Sequence, residues 1–388
     1  MSNLNEKALA AHAAWNGKLR TQVVSPVSTK EDLGLAYTPG VAAPCLAIAN
    51  DPQTVYTYTG KGHTVAVVTD GTAVLGLGNI GSLASLPVME GKCALFKAFA
   101  GVDAVPIALD TQDPETLITT IKALAPAFGG INLEDISAPR CVTIERRLVE
   151  ELDIPVFHDD QHGTAIVVSA ALRNALRVVG KELSQVRIVV SGAGAAGSAI
   201  IRMLHGLGAR HLIVFDKAGQ LHAQRSGLDF LQEELLGLID SNEHHATLAD
   251  ALVRADVFIG VSAPRLVTSA MVQSMAAQPI VFALANPEPE IAYDEAIAAG
   301  AAIAATGRSD RPNQINNVLA FPGLFKGALS VHARRITPAM MQAAVDALAD
   351  LVGDSLSSTM ILPSALDERV ATVVAQAVAQ AAQQISPK

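Results

Sequence analysis

The stretch RIVVSGAGAAGSAIIRMLHGLGARHLIVFD, residues 187–216, determines the predicted fold of the C-terminal half. Short apolar runs at its two ends predict strands, and the longer segment between them predicts a helix. Gly192, Gly194 and Gly197 lie where the first strand gives way to the helix, and they fit the pattern GxGxxG. Asp216 ends the second strand, 24 positions after Gly192. Strand, glycine turn, helix, strand and acid in this order predict a Rossmann-type unit that binds a dinucleotide.

Each part of this unit has a chemical reason to contact a dinucleotide. The glycines let the backbone approach a pyrophosphate, and the helix N-terminus favours its negative charge. The predicted cofactor-binding residues of this stretch are Gly192, Gly194, Ala195, Ala196, Gly197 and Asp216. The Asp216 carboxylate would accept a hydrogen bond from the ribose 2′-hydroxyl and repel a 2′-phosphate, which favours NAD. Lys217 follows directly and leaves NADP as the alternative.

A second GxGxxG match, GLGNIG at residues 76–81, lacks this context. It runs into SLASLPVMEGK, and Asp103 and Asp110 stand at poor offsets for a ribose. An isolated match of this kind is weak evidence for a dinucleotide site. We therefore expect residues 76–81 to form a glycine-rich turn at the edge of the active site, where the backbone passes close to a ligand.

Apolar runs alternate with helical segments along the whole chain. Further strands are predicted at residues 65–69, 104–109, 131–133, 154–157, 257–260, 280–283 and 303–305. Further helices are predicted at residues 114–125, 143–152, 163–179, 337–352 and 366–385. Short uninterrupted apolar runs are typical of parallel sheets, so the chain is predicted to be α/β. We predict an N-terminal α/β catalytic domain at 1–162, a doubly wound parallel-sheet NAD(P)-binding Rossmann domain at 163–325, and C-terminal helices at 326–388 that pack back on the body.

Acidic pairs follow two neighbouring predicted strands. Glu134-Asp135 ends one strand and Asp159-Asp160 ends the next, so both pairs should lie at one edge of a parallel sheet. Converging carboxylates repel one another unless a cation is bound, and oxygen ligands suit Mg²⁺ or Mn²⁺. The alternative is that Asp135 or Asp160 caps a following helix. The residues alone do not choose between metal binding and capping.

His158 and His162 flank the second acidic pair at positions i and i+4. That spacing suggests zinc, but no HExxH pattern is present, and residues 158–160 are predicted to be a strand end rather than a helix. We expect both histidines to pack or form hydrogen bonds rather than to bind a metal.

Composition argues against several other classes of protein. Half of the 388 residues are hydrophobic, and the formal net charge is −9. No run of Lys and Arg forms the basic stripe of a nucleic-acid binder. The three cysteines form no CxxC pair, no stretch of about 18 residues is apolar throughout, and the N-terminus has no signal-peptide pattern. We expect a cytoplasmic protein with a small-molecule substrate and no nucleic-acid or membrane partner.

Six segments of the chain form an ordered set of motifs. They are YTPGVA (37–42), LPVMEGKCALFKAFAGVDAVPI (86–107), INLEDI (131–136), FHDDQHGTA (157–165), LANPEPE (284–290) and INNVLAFPG (315–323). In this order they resemble the tyrosine motif, the lysine motif, the two metal segments and the two asparagine segments of the malic enzyme family. The matches span most of the chain, whose length resembles that of the short bacterial type.

The resemblance implies a reaction and residue roles. Malic enzymes oxidise malate with NAD or NADP and decarboxylate it to pyruvate, with a divalent metal such as Mg²⁺ or Mn²⁺. The implied general base and general acid are Lys92 and Tyr37. The implied metal ligands, with Asp159 as their support, are Glu134, Asp135 and Asp160. The implied substrate contacts are Lys92, Asn286 and Asn317. The two asparagines are also implied to contact the nicotinamide end of the cofactor.

The substrate pocket departs from the family pattern at Ala73. Large members of the family carry an arginine there, and it grips a malate carboxylate. Here we expect Thr72, a nearby backbone amide or a lysine to take that place. The segment before Asn316 is NQI, where large members have a version that contains glycine.

The general base must take the proton of the malate hydroxyl as the hydride leaves. We expect Lys92 to have a lowered pKa for this purpose, near a bound cation. Lys97 lies in the same helical stretch, and without the family motif the two lysines are equivalent candidates.

Three other functions fit part of the pattern. Malolactic decarboxylation, which retains NAD and releases lactate, shares the motif set, although such relatives are usually larger. A non-catalytic NAD-binding sensor would lack the tyrosine, the lysine or the acidic cluster. A metal-free 2-hydroxyacid dehydrogenase would need a histidine base with an acidic partner and no cluster of three acids. The family resemblance also implies a homodimer, and it leaves open whether Tyr37 serves its own subunit or the neighbouring one.

Overall fold

Two parallel sheets, joined by one long helix, form the body of the chain. The computed structural model describes residues 2–74 and 76–385. The strands of the first sheet are β1 (Thr64–Thr69), β2 (Asp103–Ala108), β3 (Gly130–Leu133) and β4 (Val156–His158). Their order across the sheet is β2-β1-β3-β4, and all are parallel. The carboxyl ends of β3 and β4 therefore lie side by side at one edge.

In the part of the chain that the structure describes, seven α-helices accompany this sheet. They are α1 (Ser2–Trp15), α2 (Lys30–Ala36), α3 (Ala42–Asn50), α4 (Val55–Tyr58), α5 (Ser82–Leu95), α6 (Pro114–Leu124) and α7 (Arg140–Glu151). Helices α2 and α3 contain no buried residue. Helix α7 is strongly amphipathic and buries Ile144 and Leu148 on the face that packs in the core.

Helix α8 (Thr164–Val179) leads from the first sheet to the second. The second sheet contains β5 (Arg187–Ser191), β6 (His211–Asp216), β7 (Gly219–Gln220), β8 (Val257–Gly260), β9 (Ile280–Ala283) and β10 (Ile303–Thr306). Its order is β10-β9-β8-β5-β6-β7, parallel except for the antiparallel pair of β6 and β7. From β5 the chain adds strands first on one side of the sheet and then, starting with β8, on the other side. Open α/β folds bind their ligands at such a switch point.

The helices around the second sheet are α9 to α16. They are α9 (Ala195–Gly206), α10 (Phe230–Leu235), α11 (Leu248–Leu252), α12 (Ser269–Gln273), α13 (Tyr293–Ala298), α14 (Phe321–Ser330), α15 (Pro338–Asp350) and α16 (Arg369–Ile385). None of the helices in the described ranges is both long and apolar enough to cross a membrane.

One hydrophobic core joins both halves of the molecule. Phe96 follows α5, and its ring centroid lies 4.7 Å from that of Phe321 on α14. Phe157 on β4 lies 5.9 Å from Phe325 in the same way. All four rings are fully or almost fully buried. These contacts hold helix α14 against the first sheet and the segment that follows α5.

The predicted parallel sheets are confirmed, and most predicted boundaries move by one to three residues. The last helix begins at Arg369 rather than at residue 366, and α7 begins at Arg140 rather than at residue 143. The antiparallel β7 was not predicted, and neither were the helices of four to six residues, because fewer than two helical turns show no 3.6-residue period. The longer helices α1, α3 and α14 were not predicted either. The three-way domain division at residues 162 and 325 stays a prediction.

Candidate active site

A cavity of about 510 Å³ lies where the carboxyl ends of the two sheets face each other. Its walls come from the segments that directly follow β3, β4, β8, β9 and β10, and from the first turn of α9. The wall residues that matter below are Ala73, Asp135, Ser137, Asp160, Asn286 and Asn317. Such a crevice, shared by strand ends, is the usual ligand site of open α/β folds.

The two acidic pairs converge on this cavity. Leu133 of β3 pairs with His158 of β4, so the residues after each strand lie next to each other. One carboxylate oxygen from each of Glu134, Asp135 and Asp160 lies within 4.8 Å of the other two. Helices α7 and α8 have Pro139 and Gly163 at their N-caps, with no side-chain cap. Capping by Asp135 or Asp160, the alternative to metal binding, is therefore wrong for these two helices.

Lys92 lies in the last turn of α5 and is buried against these acids. Its Nζ donates to Asp159 Oδ2 at 2.5 Å and lies 2.9 Å from Glu134 Oε1. It also lies 4.2 Å from the centroid of the Phe321 ring. Lys97, the other candidate, follows the end of α5, is 59% exposed and pairs with Asp103. The structure therefore separates the two lysines that residue chemistry left equivalent.

The expectation of a lowered pKa for Lys92 concerns the lysine beside a bound cation, and it stays a prediction. Burial alone lowers the pKa of Lys92, but the negative charges of Asp159 and Glu134 outweigh burial and raise it. The same burial acts in the opposite direction on the acids. It raises the pKa of Asp135 to about 9, with Asp160 and Glu134 adding repulsion, and it raises the pKa of Asp159 to about 7.

The acidic cluster has properties that fit a hard divalent cation. Asp135 is 3% exposed, and its Oδ2 has no hydrogen-bond partner among the described residues. An isolated buried carboxylate is costly, whereas a cluster that offers only oxygen ligands matches Mg²⁺ or Mn²⁺. Asp160 Oδ2 accepts a hydrogen bond from the Asp135 backbone amide at 2.8 Å, which fixes the two acids relative to each other.

Glu145 of α7 organises the turn that carries Asp159 and Asp160. Its carboxylate accepts hydrogen bonds from the His158 amide at 2.8 Å, from Gln161 Nε2 at 2.9 Å and from His162 Nε2 at 3.0 Å. Burial raises the pKa of Glu145, but His162 and the other partners outweigh burial and lower it. His162 thus has the hydrogen-bonding role predicted for it. His158 is fully buried, and neither of its ring nitrogens has a partner in the described residues.

The glycines of the predicted dinucleotide turn are needed for close packing. Gly192 has a φ of +119°, a conformation that L side chains rarely adopt. A Cβ on Gly197 would lie 1.8 Å from the Gly192 carbonyl oxygen. Gly194 is the N-cap of α9, and Ala195 and Ala196 in its first turn line the cavity. The N-terminus of a helix of twelve residues therefore points its free amides toward the cavity.

Asp216 ends β6 as predicted, but its carboxylate is already bonded. It accepts from the Ala218 amide at 2.7 Å, from Arg225 Nη2 at 2.7 Å and from Gln232 Nε2 at 2.9 Å. Burial raises the pKa of Asp216, while Arg225 and the other donors outweigh burial and lower it. The acid is therefore ionised, and a cationic group lies directly beside it.

Both predicted asparagines lie in the cavity wall. Asn286 follows β9, and Asn317 begins a short 3-10 helix before α14. The glycine-rich turn at residues 76–81 lies at the cavity edge as predicted. A Cβ on Gly76 would lie 3.1 Å from Pro287, next to Asn286.

Two predicted residues stand apart from this group. Thr72 is buried, and its hydroxyl donates to Asp70 at 2.6 Å while accepting from the Ser137 amide and from Arg140. Its hydrogen-bonding capacity is used within the protein. Tyr37 ends α2, is 72% exposed and is not among the described residues that line the cavity. Neither predicted role is tested by these positions, and both stay predictions.

Sequence reasoning missed Glu145, Arg140 and Ser137. Glu145 lies in RCVTIERRLVEE, where alternating charges suggest an ordinary solvated helix face. Its only signal is position, since the helical period places it on the buried face with Ile144 and Leu148. Ser137 and Arg140 follow the acidic pair directly, but neither residue type has a distinctive spacing there.

The fold and the cavity define a two-domain dehydrogenase of the nicotinamide-dependent class, with a candidate metal centre at the domain boundary. Residues 16–149 match the profile of the malic enzyme N-terminal domain, and residues 161–383 match that of the malic enzyme NAD-binding domain. The chain belongs to the malic enzyme family, whose members carry out the NAD(P)-dependent oxidative decarboxylation of malate.

Individual relatives agree over nearly the whole chain. The bifunctional malic/malolactic enzyme of Bacillus subtilis is 54% identical over 371 residues, which cover 95% of this chain and 90% of the relative. The NAD-dependent malic enzyme of Geobacillus stearothermophilus is 52% identical, with 95% and 77% covered. The crystal structure of the NAD-dependent malic enzyme from Thermotoga maritima is 47% identical, with a TM-score of 0.93 over 96% of this chain and 98% of that chain.

Proposed function

We propose that this chain converts L-malate to pyruvate and CO2 in the cavity described above, with Glu134, Asp135 and Asp160 holding Mg²⁺ or Mn²⁺. The observation that carries the proposal is the position of Lys92, whose buried Nζ lies within 2.9 Å of two carboxylates beside the three-acid cluster. Such a lysine, next to a cation site and a dinucleotide turn, suits proton transfer coupled to hydride transfer.

Lys92 is the general base of the oxidation step. Lys92 Nζ, as the neutral amine, would take the C2 hydroxyl proton of malate, while a bound NAD(P) would supply the hydride acceptor for C2. When bound, the divalent cation polarises the substrate oxygen and offsets the carboxylate charges that now raise the pKa of Lys92. Asp159 anchors Nζ through its 2.5 Å contact and holds it at one position. Asn286 and Asn317, in the cavity wall, orient the substrate and the nicotinamide.

Tyr37 is the general acid of the second half-reaction. Loss of CO2 leaves an enolate, which becomes pyruvate when C3 takes up a proton, and a phenol can donate it. The side chain must reach the cavity from an exposed segment. Residues 20–50 also expose Val24, Leu35 and Leu46, at 94%, 72% and 65%. Apolar exposure on this scale fits the expected homodimer, with this segment in the interface.

Subunit mixing distinguishes whether Tyr37 serves its own cavity or that of the partner. We would mix the inactive variants Y37F and K92M after reversible dissociation. If Tyr37 acts across the interface, one of the two sites in each mixed dimer is intact, and activity returns to about a quarter of wild type. If Tyr37 acts within its own chain, no mixed site is intact and no activity returns. Sedimentation of the wild type as a monomer would contradict the dimer itself.

The cofactor is NAD with NADP as an alternative substrate. A ribose 2′-hydroxyl would contact Asp216, whose carboxylate already accepts three hydrogen bonds. A 2′-phosphate would contact Arg225, which lies beside Asp216. This neighbourhood weakens the repulsion on which the preference for NAD rests. Steady-state KM values for both cofactors test this preference for NAD, and a lower KM for NADP would reverse the preference.

The main experiment follows reduced nicotinamide by absorbance, with L-malate, Mn²⁺ and either cofactor, while pyruvate and lactate are assayed in parallel. We expect equal amounts of reduced cofactor and pyruvate, both lost on chelation. Lactate without net reduced cofactor would instead support malolactic decarboxylation, the second candidate, which is favoured by the 54% identity to a bifunctional relative. No turnover of malate with either cofactor would contradict both functions.

A further inference from the structure

The cavity has to bind a dicarboxylate with very little positive charge of its own. Among the described residues that line it, none is lysine, arginine or histidine. Lys92 lies next to the acidic cluster, where Asp159 and Glu134 occupy its charge. Ala73, in the wall, offers no polar side chain. Neutral donors of the wall must therefore recognise the carboxylate that does not lie at the metal centre, and Asn286 and Asn317 need not be the only ones.

Arg140 lies directly behind the wall and donates hydrogen bonds from all three of its nitrogens. Its Nη2 donates to Asp70 and to Thr72 Oγ1, and its Nη1 donates to the Gln112 carbonyl at 2.6 Å. Its Nε donates to Ser137 Oγ at 3.1 Å. Because Nε carries one hydrogen and Nη2 carries two, these two nitrogens have no donor left for a ligand.

Ser137 is the member of this network that reaches the cavity. Its backbone amide donates to Thr72 Oγ1 at 3.0 Å, which holds the residue in place. Its Oγ accepts from Arg140, and the hydroxyl proton has no acceptor among the described residues. A hydroxyl whose oxygen accepts from a guanidinium is a stronger donor, because hydrogen bonds in a chain polarise one another.

We propose that the Ser137 hydroxyl binds a carboxylate of the dicarboxylate substrate, and that Arg140 is a positioning residue that aims and polarises it. Thr72 and Asp70 then serve to fix Ser137 and Arg140 rather than to touch the substrate. The inference rests on the proposed function, since it takes malate as the ligand of this cavity. A neutral donor, backed by the partly buried charge of Arg140, would then take the place of a direct charge contact.

The test compares S137A, S137T and R140K by steady-state kinetics with malate and with NAD(P). Losing a hydrogen bond to a charged group should raise the KM for malate about tenfold to a hundredfold in S137A, while the KM for NAD(P) and kcat stay close to wild type. S137T keeps the hydroxyl and should recover most of the affinity. R140K keeps the charge but lacks the planar fork, and it should raise the KM for malate as well.

A double variant separates positioning from a direct contact. If Arg140 acts through Ser137, the KM for malate of S137A/R140K should equal that of S137A within about twofold. If the two residues contact malate independently, the two increases in KM should multiply. R147Q is the matched control, because Arg147 lies on the same helix but pairs with Glu115 and Glu151 at the surface. It should leave the KM for malate unchanged.

The outcomes distinguish a failure of this inference from a failure of the proposed function. An unchanged KM for malate in S137A, in a wild type that turns malate over, overturns the inference and leaves the proposed function intact. Equal changes in the KM for malate and for NAD(P) would show a merely structural role and would also overturn it. A wild type with no malate turnover removes the proposed function and the inference together. S137A removes no buried charge, so it carries the test even if R140K does not fold.

Discussion

Replacing Lys92 by methionine removes the cation that, among the described residues, lies between the buried acids Glu134 and Asp159. K92M keeps an unbranched side chain that is one atom shorter, but it leaves Glu134 and Asp159 without the contacts of 2.9 Å and 2.5 Å that now neutralise them. Lys92 is 8% exposed and Asp159 is fully buried, so water cannot replace the lost partner.

The size of the effect follows from this burial. Breaking a buried ion pair by removing one partner costs about 3–5 kcal/mol, because the remaining charge is left uncompensated. For a chain of this length, that corresponds to a fall in melting temperature of about 4–6 °C. The remaining acids can lower the cost by taking up protons, so we expect a larger loss at pH 8 than at pH 6.

The assay is thermal unfolding of wild type, K92M and K97M without metal and with Mn²⁺. K97M is the matched control, since Lys97 is 59% exposed and its pair with Asp103 should contribute less than about 1 kcal/mol. Mn²⁺ should stabilise K92M more than the wild type, because the cation supplies the charge that the lysine no longer does. Equal melting temperatures for K92M and K97M at pH 8 without metal would refute the reasoning.

Three further predictions follow from the same contacts. Without metal, the wild type should lose stability as the pH rises from about 4 toward 9. Burial raises the pKa of Asp135 to about 9 and that of Asp160 to about 6, so the folded state binds more protons than the unfolded state. The melting temperatures with and without Mn²⁺ should therefore diverge as the pH rises, and a constant difference would contradict this. E145Q should weaken Mn²⁺ binding about tenfold or more in calorimetric titration, because Glu145 orients the turn that carries Asp159 and Asp160; unchanged affinity would show that the turn holds its shape alone. R225A should raise the KM for NADP about tenfold relative to that for NAD, since it removes the cation beside Asp216; a ratio that stays the same would place the 2′-phosphate elsewhere.

The sequence by itself determined the features that depend on neighbours along the chain. The strand, glycine turn, helix and Asp216 of the dinucleotide unit lie within residues 187–216, so their order alone predicted the Rossmann fold. The acidic pairs were predicted to meet because the carboxyl ends of adjacent parallel strands share an edge, and the cluster of Glu134, Asp135 and Asp160 confirms that they do.

Only the tertiary structure decided how these groups are charged and which hydrogen-bonding sites are free. Lys92 contacts Asp159 across 67 positions of sequence, and that contact separates it from Lys97 and helps to raise its pKa. Arg140 contacts Thr72 across 68 positions, so the Thr72 hydroxyl, one of three groups expected to replace the missing arginine, already has a partner within the protein. The physical reason is common to both cases. A motif specifies which side chains are present, but their protonation and their free donors depend on desolvation and on distant partners, which exist only after the chain has folded.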